Sequence, residues 1–103
     1  MQEVRNMISN EELVKLCQDV IRIPSPSGHE ENVSKFLKGK MEELGFDEVN
    51  IDRYGSVYGV IHGKRPGQTI LMDGHIDNVD VIDEDQWNHA PWGAEITDGK
   101  IYG

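Results

Sequence analysis

From Ser9 onward the apolar residues recur at helical spacing. Leu13, Leu16, Cys17, Val20 and Ile21 fall on one face, the rhythm of an amphipathic helix. Ser9 followed by Glu12 is a capping box, in which each side chain satisfies an orphan backbone N–H at the helix start. Pro24 stops the run, because the residue before a proline is pushed out of helical geometry. The spacing therefore predicts a first helix over about 10–22, preceded by a frayed start over residues 1–8.

Ile23-Pro24-Ser25-Pro26-Ser27-Gly28 reads as a rigid connector, its two prolines fixing the backbone. Ser27 and Glu30 have the spacing of a second capping box. Val33, Phe36, Leu37, Met41 and Leu44 then line one face of a longer helix, predicted over about 28–44. Gly45 sits where a left-handed C-terminal cap belongs, and Phe46 follows as the apolar residue that folds back on the last turn.

Beyond Phe46 the period changes to two. Val49 and Ile51 alternate with polar neighbours, Tyr54-Gly55-Ser56 reads as a turn, and Val57 to Ile61 as the returning strand of a hairpin. Gly63 to Gly67, with Pro66, is a second turn. Thr69-Ile70-Leu71-Met72 is a continuous apolar run, consistent with a central strand buried on both faces. From Asn78 the chain is acidic and loop-like, with a short strand near Glu95 and Ile96 and a turn at Asp98-Gly99. The pattern predicts an α/β fold of two helices, a β-hairpin and a buried central strand, in a mixed sheet.

Composition narrows the class. The chain has 103 residues, 37% hydrophobic and 28% charged, which is globular rather than disordered. Its formal net charge is -9, from 19 acidic and 10 basic residues. That argues against nucleic acid as a partner, since phosphate binding needs clustered Lys and Arg. No apolar run approaches the roughly 18 residues of a membrane span. Cys17 is the one cysteine, on the helical stripe, where burial is expected. A lone thiol without a leader-like segment fits the cytoplasm.

Candidate chemistry centres on His75 and Asp77, two positions apart at the end of the apolar run. Positions i and i+2 of a strand share a face. A metal-binding histidine needs its other ring nitrogen held by an acceptor, commonly a carboxylate, which fixes its tautomer and raises its basicity. Taken alone the pair is short and common, and zinc needs about four ligands. Asp80, Asp83, Glu84 and Asp85 lack the spacing of a calcium loop and read as a solvated acidic loop. His29 and His62 read as exposed polar residues. His89, between Trp87 and Pro91, lies near the presumed site, and Trp87 and Trp92 read as anchors of an irregular loop.

Three ordered segments resemble the M20 family of metallopeptidases and deacylases. Ile70 to Asp77 looks like the family's first metal motif, an apolar strand running into His-x-Asp. Ile23-Pro24-Ser25-Pro26-Ser27-Gly28-His29-Glu30 resembles its N-terminal Pro-Ser-x-Ser-Gly-x-Glu signature. Trp87, Pro91-Trp92 and Asp98-Gly99-Lys100-Ile101-Tyr102-Gly103 resemble the stretch leading into its second metal motif. Asn78 stands where the family often has threonine or another small residue, and Trp92 where it often has phenylalanine.

The resemblance implies that residues 1–103 are the N-terminal portion of one zinc-hydrolase catalytic domain. The rest of that domain and a smaller lid domain are expected beyond it. His75 would ligate one ion of a two-zinc site, with cobalt or manganese as substitutes, and Asp77 would orient His75 and count as catalytic. The bridging aspartate, the general-base glutamate and the other ligands would follow Gly103. The implied activity is hydrolysis of amide bonds in small peptides or N-acyl amino acids by a protein that can form homo-oligomers, with the isolated chain inactive. Two other readings stand beside it: a non-catalytic binding or structural module, and a related co-catalytic zinc aminopeptidase. The Pro-Ser-x-Ser-Gly segment and the Asp-Gly-Lys-Ile-Tyr-Gly ending favour the M20 reading over the aminopeptidase. A central strand needs neighbours on both edges and helices on both faces. Two helices and one hairpin cannot cover it, so an open edge or apolar face is expected.

Overall fold

The structure, a computed structural model, describes residues 8–103; most of the expected frayed start lies outside them. The described residues form two compact units. One joins the chain up to Ile23 to Val81–Gly103, and the other is Pro24–Asp80. Among the described residues the architecture is α/β, with two α-helices and two small antiparallel strand pairs. Among the described residues no helix is long and apolar enough to cross a membrane.

In the first unit, α1 spans Asn10–Ile21 and its capping box forms as expected. The Glu12 N–H donates to Ser9 Oγ at 3.2 Å, and the Ser9 N–H donates to Glu12 Oε2 at 2.7 Å. No residue of α1 is buried, and Cys17 is exposed, against the expectation of packing. The reason is the face that is engaged. Gln18 Nε2 donates to the Ala94 carbonyl at 2.9 Å and Arg22 Nε to the Gly93 carbonyl at 3.3 Å. The 93–94 segment thus lies over positions 18 and 22, while Leu13 and Cys17 remain outside. Ala94 is fully buried. Trp87 is half-exposed and donates from Nε1 to the Ile82 carbonyl at 3.4 Å, within its own loop. The Asp98-Gly99 turn joins β3 (Ile96–Thr97) to β4 (Lys100–Ile101). Both turn residues have positive φ, 52° and 74°, the requirement of a two-residue type I′ hairpin.

The second unit is organised by α2, Glu31–Glu43, which packs against both strands of the hairpin β1 (Glu48–Ile51) and β2 (Val57–Val60). The helix begins three residues later than the pattern predicts. Its N-cap is Glu30, which makes no side-chain capping bond, so the expected Ser27–Glu30 box does not form. Its C-terminus matches expectation. Gly45 takes φ 83°, the Gly45 N–H reaches the Glu42 carbonyl and the Phe46 N–H the Met41 carbonyl, both at 3.1 Å. That pair of bonds is the Schellman motif. The reversal brings Phe46 over β2, where a Cβ on Gly59 would stand 2.5 Å from the Phe46 ring and 2.9 Å from Met41 Sδ. Val33 is buried, and so is Ser34, whose hydroxyl donates to the Gly55 carbonyl at 2.8 Å.

Thr69–Met72 corrects the expectation of a buried central strand. The segment pairs with nothing among the described residues, and Ile70, Leu71 and Met72 are 86%, 88% and 89% exposed. The expected mixed sheet is likewise replaced by two separate two-stranded antiparallel pairs. An isolated parallel bridge joins Pro26 to Asn78. The cause is partnership. β1 and β2 pair with each other, and a strand buried on both faces requires neighbours at both edges and cover above and below.

Two outcomes follow from this packing. Gly59→Ala should destabilise the helix–hairpin unit by about 1–3 kcal/mol through overpacking, read as a lower urea midpoint at unchanged slope. The 103-residue chain should self-associate through its apolar 70–72 segment, and Leu71→Lys should reduce the concentration dependence of its sedimentation coefficient. Identical monomeric sedimentation of both proteins would exclude that role for the segment.

Candidate metal centre

The unpaired apolar segment leads directly into Asp73-Gly74-His75-Ile76-Asp77. His75 and Asp77 meet: His75 Nδ1 lies 3.0 Å from the Asp77 carbonyl oxygen and 3.1 Å from Asp77 Oδ1. Both partners are acceptors, so Nδ1 carries the proton and donates. A neutral ring in that tautomer has its lone pair on Nε2. The imidazole is 85% exposed and its carboxylate partner 41% exposed. His75 borders a cleft of about 270 Å³, lined also by Glu30, Tyr54, Val57, Asp73 and Asp77.

Ser27 joins this pair from 50 positions away, its hydroxyl donating to Asp77 Oδ2 at 2.5 Å. The approach is built by the connector. Ser25, 3% exposed, donates from its hydroxyl to the Ile76 carbonyl at 2.8 Å. The Asn78 N–H donates to the Ser25 carbonyl at 2.9 Å, and Pro26 and Asn78 form the parallel bridge. Gly28 turns the chain at φ 88°, and its N–H donates to Glu30 Oε1 at 2.7 Å. The Glu30 carboxylate therefore serves this turn rather than Ser27. The side-chain oxygen of Asn78 is buried with no hydrogen-bond partner among the described residues.

The hydroxyl of Ser27 holds the Asp77 carboxyl below its usual value of 3.8; loss of water opposes this, and the His75 contacts add to the lowering. The donor set fits one arm of a metal site. It offers one imidazole nitrogen, oriented by a carboxylate, in a form ready to ligate. No group of three or more potential metal ligands exists among the described residues, so these residues do not close a site.

The other candidates resolve individually. His29 lies before α2 in a turn, its N–H bonded to the Pro26 carbonyl at 2.8 Å. His62 Nε2 lies 3.2 Å from Glu48 Oε2 beside the hairpin. In the unit containing α1, His89 Nδ1 lies 2.8 Å from Glu95 Oε2, and its ring stacks on Tyr102 at 3.8 Å between centroids. The acidic stretch of Asp83, Glu84 and Asp85 is exposed, with Glu84–Gln86 forming one 3-10 turn. Ser25 and Ser27 are the site contributors that sequence reasoning missed. The Pro-Ser-x-Ser-Gly-x-Glu resemblance marked their segment without giving either serine a role, and the capping pattern at Ser27 pointed elsewhere.

Relatives place these residues in context. The chain is 38% identical over 93 residues to the uncharacterized protein YgeY of Escherichia coli, a match covering 89% of this chain and 22% of that protein. It is 42% identical over 72 residues to a putative [LysW]-lysine/[LysW]-ornithine hydrolase of Pyrococcus abyssi, covering 70% of this chain and 20% of the relative. It is 35% identical over 92 residues to succinyl-diaminopimelate desuccinylase 2 of a Ruegeria species, covering 87% and 23%. The chain thus spans about a fifth to a quarter of the length of these relatives. No family profile and no solved structure matches it.

The depressed Asp77 value has a direction that can be checked. A carboxyl whose folded pKa lies below its unfolded one adds stability that is present above the unfolded value and lost as pH falls through the folded value. The Asp77 side-chain carboxyl should titrate by carbon NMR with a midpoint below 3.8. In Ser27→Ala that midpoint should rise, because the largest cause of the depression is removed. An unchanged midpoint would show that the hydroxyl does not hold the carboxylate in solution.

Proposed function

Because this chain belongs to the M20 family of metallopeptidases and deacylases, we propose that it forms part of a metal-dependent hydrolase of amide bonds, acting on N-acyl amino acids or small peptides. The observation that carries this reading is the His75–Asp77 contact. It leaves one imidazole nitrogen free to ligate, on the rim of a cleft. The hydrolase names of two relatives support the reaction class.

In this proposal His75 Nε2 holds a zinc ion, and Asp77 orients the ring by accepting from Nδ1. Zinc supplies Lewis acidity toward the scissile carbonyl and lowers the pKa of water. The chain's own residues provide the rest of the local work. Asp77 keeps the ring in one tautomer, and its negative charge makes the imidazole a stronger donor to a cation. Glu30, Tyr54 and Asp73 line the adjacent cleft, where an acyl group or an amino-acid side chain has room to enter.

In the protein as its gene encodes it, His75→Ala should remove one equivalent of bound zinc and abolish turnover of an N-acyl amino acid. Asp77→Ala should reduce metal affinity or activity by roughly 10–100-fold. Wild-type zinc content and activity in both variants would overturn the proposal.

A further inference from the structure

We propose that Ser27 is a positioning residue of this metal arm, fixing the rotation of the Asp77 carboxylate so that Oδ1 meets His75 Nδ1. The inference rests on the reading of His75 as a metal ligand and extends it to a connector 50 residues distant. A carboxylate at the end of an aspartate turns about a soft torsion with broad, two-fold preference. One contact at 3.1 Å to an exposed ring does not hold it. A second bond on the opposite oxygen does, and Ser27 makes it at 2.5 Å. The result is a chain of three groups in which hydroxyl and ring N–H both donate to one carboxylate.

Two further observations separate this role from an incidental surface contact. Ser27 has a local alternative and does not take it. It stands three residues before Glu30 in capping-box spacing, yet α2 starts at Glu31 with Glu30 as its N-cap, and Glu30 Oε1 accepts from the Gly28 N–H instead. Its placement is also fixed on both sides. Ahead of it lie the Ser25–Ile76 and Asn78–Ser25 bonds and the bridge at Pro26. Behind it, Gly28 turns at φ 88° with its N–H tied to Glu30, and the His29 N–H closes on the Pro26 carbonyl. The hydroxyl is therefore delivered to Asp77 by backbone, on a segment with two prolines.

The test uses the gene-encoded protein labelled with nitrogen-15 at histidine. Long-range proton–nitrogen NMR reads the His75 tautomer, with His75→Ala giving the assignment, and zinc affinity is read by competition with a chromophoric chelator. Wild type should hold the His75 proton on Nδ1. Ser27→Ala should give a mixture of tautomers and weaken zinc by roughly 10-fold, in the range for groups that orient metal ligands. Ser27→Thr, which keeps the hydroxyl, should restore both readouts. If Ser27→Ala leaves tautomer and affinity at wild-type values while Asp77→Ala alters them, the positioning role is overturned and the metal reading stands. If His75→Ala leaves zinc affinity unchanged, the metal reading falls and this inference with it.

Discussion

The candidate site depends on the parallel contact between Pro26 and Asn78, with the Ser25 carbonyl accepting from the Asn78 N–H. It is the point at which the connector before α2 is fastened to the turn after the apolar segment. Without it the His75–Asp77 pair would be an exposed side-chain contact between near neighbours, free to rotate apart. With it, a buried serine bonds the Ile76 carbonyl and a second serine reaches the carboxylate itself. Backbone sets the geometry of the side chains here, which suits a group that must hold one orientation in water.

The helix–hairpin unit provides the rigid body from which the connector departs. Its packing is close because β2 lacks a side chain at Gly59, letting Phe46 and Met41 press against the strand. The Schellman reversal at Gly45 aims Phe46 there. Ser34 ties the same helix to the hairpin turn through Gly55, and that turn contributes Tyr54 and Gly55 to the wall of the cleft beside His75. Helix end, hairpin turn and cleft are thus linked by a short sequence of contacts inside one compact unit.

What was legible in the sequence was what neighbours in sequence decide. Ser9 and Glu12 cap α1, Gly45 and Phe46 end α2, and Asp98-Gly99 makes a hairpin, because each signal and its target lie within a few residues. His75 and Asp77 belong to the same class. Ser27 fails as a cap despite identical spacing because α2 begins only at Glu31, with Glu30 as its N-cap and the Glu30 carboxylate turned to the Gly28 N–H. The bond from Ser27 to Asp77, far along the chain, is something no local pattern reports. Ile70 to Met72 fail as a buried strand for a related reason: apolar composition states a preference for burial, and partners decide whether it is met. Cys17 follows the helical stripe correctly, yet the covering segment lies over Gln18 and Arg22 instead.

The separation between Ser27 and Asp77 also orders events in time. His75 and Asp77 find each other within a three-residue span, and α2 with its hairpin needs only short loops. The serine bonds close loops of 50 and 51 residues. Closing such a loop costs on the order of 3–4 kcal/mol of chain entropy, before any constant, and contacts of long sequence separation slow folding. Loop entropy therefore favours the His75–Asp77 contact over the Ser27 bond in a partly folded chain. Until that loop closes, the imidazole and carboxylate lack the serine bond to Asp77 Oδ2.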